Sequence, residues 1–247
     1  AIEEEADYFL VINPDTCLEP KTIECLVDYL DQHSEVGAVM PKILRWDFQN
    51  KCLTKEIDSL GVALTKSGAF YDIGQGRLDG GESSQPRPIF GFTGAGVLLR
   101  LSALRSVAFD NGQYLEYFDE LMFMYKEDCD LSYRLRLAGW ETVLLPAAVI
   151  YHDRTAAKAK GGWRSQWKER RQSSKLIRRW SYHNHIIIFW KYYFLPKKLS
   201  TRWHEIAYQL KRLAAALTLE PFVLASWRAV FKERAFIAAR RRALNIK

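Results

Sequence analysis

Residues 6–20, ADYFLVINPDTCLEP, decide how this chain is read. Tyr8–Asn13 is a short run of apolar, branched and aromatic residues, the make-up of a buried strand. The run stops at Pro14-Asp15, and proline cannot continue a central strand. A turn is the simple explanation of a carboxylate held there. A ligand site is the alternative, because open α/β sheets bind ligands outside the carboxyl ends of their strands. The opening AIEEEADYFLV reads as a helix end entering a strand with no initiator Met, which points to a missing amino-terminal piece.

Outward from this stretch, strands and helices alternate. Residues 19–33 place Ile23, Leu26, Val27 and Leu30 on one helical face. EVGAVMPKIL (35–44) is a second strand, and IDSLGVALTKSGAFYDIGQG (57–76) is a hairpin turning at Lys66-Ser67-Gly68. LDGGESSQPRP is a loop, and FTGAGVLLR (92–100) is a strand followed by a short helix from Ser102. KEDCDLSYRLRLAGW (126–140) is a helix closed by Gly139, and ETVLLPAAVIYH (141–152) is a strand pair broken at Pro146. The alternation argues an α/β layered sheet. From Trp203 two helices follow, the first with Trp203, Ile206, Leu210, Leu213 and Leu217 on one stripe, the second opening at Glu220-Pro221.

Charge divides the 247 residues. Residues 1–153 hold 13 Lys/Arg and 25 Asp/Glu, and residues 154–247 hold 23 and 4, so net charges of −12 and +19 underlie the overall +7. A basic tail of this kind seeks a polyanion. The 48% apolar content supports a substantial core and argues against disorder. Cys17, Cys25, Cys52 and Cys129 form no C-x-x-C pair and suit a reducing compartment; Cys17 and Cys129, beside the motifs discussed below, read as small packing residues. The longest strongly apolar run, His185–Leu195, is interrupted by Lys191, so no transmembrane span is expected.

Three places could carry chemistry. Asn13-Pro14-Asp15 offers oxygen ligands that suit Mg²⁺ or Mn²⁺. Glu127-Asp128-Cys129-Asp130 crowds three carboxylates at a helix start, where dipole complementarity is the simple account and a tuned general base the other. At helical spacing Glu127 and Asp130 share a face, leaving Asp128 pointing elsewhere. His152 ends a strand, where it is either structural or a metal ligand. GFTGAG (91–96) departs from the dinucleotide fingerprint and enters a strand, so its glycines reflect either close approach to a ligand or tight packing.

The order of motifs NPDT, LEP, GFTGAGVLLR, FDELMFMYKEDCDLSYRLRLAGW and LLPAAVIYHD resembles the rhamnosyltransferase-like branch of the family 2 glycosyltransferases. The likeness runs over residues 1–154 and continues more weakly through RRWSYHNHIIIFWKYYF. It implies a GT-A fold (a Rossmann-like α/β layered sheet), here lacking its amino-terminal part, in a catalytic domain over 1–154. A basic, mostly helical, membrane-associating region would occupy 155–247. By the same resemblance, Asp15 and His152 would hold a divalent cation (Mg²⁺ or Mn²⁺) on the donor diphosphate. Asn13, Gly94, Ala95 and Glu127 would line the donor site, and Asp128 would be the catalytic base. The implied activity is inverting transfer from a dTDP-rhamnose or UDP-sugar type donor to a polysaccharide or lipid-linked glycan, in cell-surface polysaccharide biosynthesis. The family's opening strand, with the Asp that reads the nucleotide base, has no counterpart here. Two other readings compete: a non-catalytic membrane-surface remnant, and a nucleic-acid binder resting on Trp163, Trp167, Trp180 and Trp203 among Arg and Lys, for which no known motif is present. HIIIFWKYYFLPKK, flanked by Arg178, Arg179, Lys197 and Lys198, is expected to lie in an anionic membrane interface, making the protein cytoplasmic and peripheral on the inner face of the cell membrane.

Overall fold

The computed structural model describes residues 6–47, 50–81, 84–153 and 174–244. The segment 154–173, expected from sequence to be a basic linker and the place of Trp163 and Trp167, lies outside the described residues, as does the helix end expected in residues 1–5.

The main sheet is built on four long-range pairings. β1 (Tyr8–Ile12) pairs antiparallel with β8 (Gly96–Arg100), β8 with β3 (Val36–Asp47), β3 runs parallel to β11 (Glu141–His152), and β11 pairs antiparallel with β2 (Thr16–Leu18). β1, β3 and β11 therefore point the same way, and their carboxyl ends share one edge of the sheet. β4 (Cys52–Ser59) flanks β3, and β7 (Arg87–Pro88) flanks β11. β5 (Val62–Leu64) and β6 (Phe70–Asp72) form the hairpin expected from Lys66-Ser67-Gly68, with Gly68 at φ +79°, and β9 (Phe109–Asp110) pairs with β10 (Leu115–Glu116) in a separate two-stranded ribbon.

Successive strand side chains face opposite sides, and the sequence uses both. Met40, Leu99 and Leu144 enter a core shared with Leu104, Leu131 and Leu135 of α2 (Leu101–Val107) and α3 (Glu127–Leu137). Their neighbours Val39, Leu98 and Val143 pack on Leu26 and Leu30 of α1 (Thr22–Gln32). Each such buried aliphatic side chain contributes roughly 1.5–3 kcal/mol. The expected α/β layered sheet is the architecture found.

The expectation of a strand pair at Pro146 is corrected. β11 is one strand whose register with β3 jumps from Leu145↔Pro41 to Val149↔Lys42, so the three residues at Pro146 form a bulge rather than a break. The bulge is used: the Val149 carbonyl accepts from the Thr22 hydroxyl at 2.6 Å and the Glu19 amide at 3.2 Å, seating α1. β2, three residues long, is invisible in the pattern of residues 16–18. α3 ends as expected, with Gly139 at φ +89° donating to the Arg136 carbonyl.

The basic region folds as α4 (Lys175–Tyr192), α5 (Leu199–Leu219), a 3₁₀ turn at Pro221–Leu224, α6 (Ala225–Lys232) and α7 (Arg234–Ala243), more than the two helices expected after Trp203. α4 packs on α3 and the segment before it: Ile186, Ile187, Ile188 and Tyr192 share a core with Cys129, Tyr133 and Met122. This narrows the reading of 185–198 as an interfacial segment. Its isoleucines are consumed by the body, and Lys191 is fully buried between Asp119 at 2.7 Å and Asp130 at 2.5 Å. No helix among the described residues is long and apolar enough to cross a membrane.

Candidate active site

The turn after β1 answers the question its proline raises. The Asn13 amide donates to the Ala95 carbonyl at 3.3 Å, and the Thr16 hydroxyl donates to the Asn13 carbonyl at 2.6 Å, closing the turn around Pro14. The Asp153 amide then donates to the Asp15 carbonyl at 3.0 Å, so β11 fixes the turn from the other side. Asp15 is left with a half-exposed side chain at the carboxyl edge of the sheet. His152 ends β11 at that same edge, its Nε2 3.4 Å from Asp15 Oδ1 and 3.3 Å from Asn13 Nδ2.

Behind His152 stands a residue that sequence reading missed. Asp58 Oδ2 lies 2.9 Å from His152 Nδ1, almost wholly buried at the end of β4, with Arg45 Nε 3.8 Å from its other oxygen. A carboxylate on Nδ1 fixes the imidazole so that Nε2 presents its lone pair forward, the arrangement that orients metal-ligating histidines. The only sequence signal was an acid in a strand that faces the core.

These residues fit a divalent cation, with a limit. Asp15 and His152 supply one oxygen and one nitrogen, and no group of three or more His, Cys, Asp or Glu among the described residues forms a cage. Such a pair suits an ion that completes its shell with water and phosphate oxygens, as Mg²⁺ commonly does.

Across the cleft, α3 begins at a strained corner. Tyr125 and Lys126 both sit at positive φ, +66° and +72°. Each such non-glycine residue costs of order 1–3 kcal/mol and persists only when its surroundings hold it. Here the holder is fully buried Asn184 of α4, whose Nδ2 donates to the Met124 and Tyr125 carbonyls at 2.8 and 2.7 Å. The corner aims the first helical carboxylates into the cleft. Asp128 Oδ1 accepts from the Cys129 amide at 2.7 Å and Oδ2 from the Gly94 amide at 3.1 Å, so the side chain is locked while its edge stays open.

The three acids separate differently from the helical-wheel expectation. Glu127 does not share a face with Asp130: it lines the cleft beside Asp128, while Asp130 turns fully inward to Lys191, Arg134 and the Tyr192 hydroxyl. Burial works against ionising Asp130, but the Lys191 and Arg134 cations overcome it and its pKa is lowered. Glu127 is the opposite case. Burial, and then the Asp128 charge, raise its pKa to about 7, and its Oε2 is buried without a hydrogen-bond partner among the described residues. Cys129 packs in the core, its thiol pushed well up by burial and by Asp128, which suits the packing role expected for it.

The raised Glu127 carboxyl sets a pH dependence. Its folded pKa lies above the unfolded value, so the fold binds a proton there and loses stability as pH rises through about 7. Glu127→Gln should therefore stabilise the free protein by of order 2–3 kcal/mol at pH 8 and by under about 1 kcal/mol at pH 5. Denaturant melts at the two pH values check this, and an equal effect at both would contradict it.

The glycines of GFTGAG divide between the two meanings the sequence left open. A Cβ on Gly91 would lie 2.4 Å from the Ser132 hydroxyl, and one on Gly96 2.2 Å from Ile150, so both allow tight packing. A Cβ on Gly94 would meet nothing within 4 Å, because that residue faces the cleft. All seven residues singled out from sequence, Asn13, Asp15, Gly94, Ala95, Glu127, Asp128 and His152, line one cleft of about 410 Å³. Tyr71, Asp72, Lys126 and Ser181 also line it, and sequence gave no sign of them.

Comparison with known proteins agrees with this geometry. Residues 8–231 match the profile described as "Glycosyl transferase family group 2". An N-acetylglucosaminyl-diphospho-decaprenol L-rhamnosyltransferase of Mycobacterium tuberculosis, found in strains CDC 1551 / Oshkosh and ATCC 25618 / H37Rv, is 32% identical over 157 residues. The match covers 60% of this chain and 47% of that relative, so the chain spans about half the length of the curated proteins it matches. A crystal structure of GalNAc-T7 with UDP, GalNAc and Mn²⁺ superposes with a TM-score of 0.45 and 11% identity, covering 86% of this chain and 41% of that one, a likeness too weak to argue from. The profile spans both the cleft and most of the carboxyl-terminal helices, and on that match the chain belongs to glycosyl transferase family group 2.

Proposed function

We propose that this chain carries the acceptor-activating and diphosphate-binding site of an inverting glycosyltransferase. The donor would be a nucleoside-diphosphate sugar of the dTDP-rhamnose or UDP-sugar type, and the acceptor a polysaccharide or lipid-linked glycan on a pathway to cell-surface polysaccharide. The observation that carries the reading is the opposition, within one cleft, of a locked, half-buried Asp128 and the Asp15–His152 pair. The lipid-linked acceptor is supported by the activity for which the mycobacterial relative is named. With such a donor the reaction would run on the cytoplasmic side of the membrane.

In this reading Asp128 accepts the proton of an acceptor hydroxyl as that oxygen attacks the anomeric carbon. The C–O bond to the diphosphate breaks on the opposite face, and one displacement inverts the centre. Gly94 and Cys129 amides keep the carboxylate oriented throughout. A divalent cation held by Asp15 and His152 would supply charge neutralisation for the diphosphate leaving group. Asn13 and the Gly94–Ala95 backbone would border the sugar, and Glu127, protonated near neutral pH, could donate to a sugar hydroxyl.

The test is a calorimetric panel of dTDP-, UDP- and GDP-sugars with and without EDTA. Wild type should bind at least one donor only when Mg²⁺ or Mn²⁺ is present, and Asp15→Ala should abolish that binding. EDTA-insensitive binding that survives Asp15→Ala would remove the metal assignment. Donor binding with no transfer to any glycan acceptor would instead favour a non-catalytic remnant.

A further inference from the structure

Helix α5 carries an apolar stripe that is largely exposed among the described residues. Leu199, Trp203, Ile206, Leu210, Leu213 and Leu217 recur at alternating steps of four and three residues, which aligns them on one helix face. The helix turns Glu205, Gln209 and Ala216 inward instead. Leu199, Trp203, Leu210 and Leu217 are 70%, 63%, 62% and 59% exposed. At ~1.5 Å per residue the stripe is about 27 Å long, and half-exposed Phe194 extends it at the amino-terminal end. Scattered exposed hydrophobes are ordinary, but a contiguous run rimmed by charge marks a docking face.

Charge identifies the occupant. Over residues 174–244 the acids are Glu205, Glu220 and Glu233, against fifteen Lys and Arg. Each acid is within ion-pair distance of a cation or imidazole of the same region: Lys197, Arg178 and His183 respectively. At the Leu199 end, the Arg241 guanidinium lies 4.3 Å from the centre of the Phe194 ring and that of Arg202 5.8 Å from Tyr193, and exposed Lys198 immediately precedes Leu199. Two copies meeting through this face would bring these cations together. An anionic bilayer would neutralise them while taking up the leucines.

We propose that the α5 stripe is an in-plane docking face for an anionic phospholipid surface. Trp203 would sit at headgroup level, with Leu210 and Leu217 entering the acyl boundary and Lys198 and Arg202 meeting lipid phosphates. This moves the centre of the membrane contact that sequence placed at 185–198, whose three isoleucines are spent in the core. It uses no residue of the cleft and stands apart from the sugar-transfer reading.

The test is sedimentation of the whole chain with vesicles of phosphatidylcholine alone or with added phosphatidylglycerol. The chain should pellet with the anionic vesicles at low salt, come off at high salt, and stay largely in the supernatant with neutral ones. Leu210→Glu/Leu217→Glu, both at exposed positions, should lower partitioning at least ~10-fold without moving the melting temperature. Lys198→Gln/Arg202→Gln should lower binding to anionic vesicles by roughly tenfold or more. The proposal is overturned if wild type ignores anionic vesicles or if either double variant pellets like wild type. It is equally overturned if the leucine pair dissolves a dimer seen by analytical ultracentrifugation while vesicle binding persists.

Discussion

Asp128→Asn should lower sugar transfer by about 10²–10⁴-fold, the usual worth of a general base, while donor binding stays near wild type. The substitution keeps the shape and removes the proton acceptor. It also leaves one oxygen where two backbone amides, of Cys129 and Gly94, now find two, so a small loss of stability accompanies it. A second readout separates chemistry from local damage. The Asp128 charge is one of the causes that raise the Glu127 pKa, burial being the larger, so the variant should let Glu127 titrate at lower pH. A large loss for Glu127→Gln with Asp128→Asn near normal would show that the wrong carboxylate carries the proton. The assay is single-turnover transfer, with the Glu127 titration followed by NMR.

The second large effect is expected behind the cleft, at a residue that does not line it. Lys191→Met should destabilise the protein by about 3–5 kcal/mol, because it strands two buried carboxylates. Lys191 Nζ lies between Asp119 of the loop before α3 and Asp130 within α3, and Tyr192 and Arg134 complete the cluster around Asp130. Arg240 of α7 joins through Glu116 and lies 3.9 Å from Asp119. The carboxyl-terminal helices therefore supply cations to the buried acids Glu116, Asp119 and Asp130 on and before α3. For a chain of this size the loss corresponds to roughly 10 °C in melting temperature. Lys175→Met, on an exposed position of the same helix, should change it little. Equal melting temperatures for the two variants would mean that the cluster does not lock the regions together.

What the sequence disclosed follows from the range of each signal. Strand–turn–acid at Tyr8–Asp15, the acidic helix start at Glu127 and the strand-end His152 are local patterns, and all three meet in the cleft. Asp58 was hidden because its meaning comes from a histidine 94 residues away. Asn184 was hidden because nothing local marks Tyr125 and Lys126 as left-handed, so the need for a brace was not visible. The amphipathic stripe of α5 was correctly seen, but periodicity reports that a face exists and not what it faces. For α4 the apolar run was read as membrane-facing. Burial of Lys191 between two acids, which ties that helix to the core, depends on partners from distant segments that no window contains.

The account turns on a single displacement at the anomeric carbon with Asp128 as base. The most direct measurement is NMR of the product formed from a ¹³C-labelled nucleotide sugar and a prenyl-diphosphate-linked glycan acceptor, read at the new anomeric carbon. The account predicts a linkage of inverted configuration, formed by wild type and nearly absent with Asp128→Asn. Retained configuration, or an undiminished yield from Asp128→Asn, would contradict it.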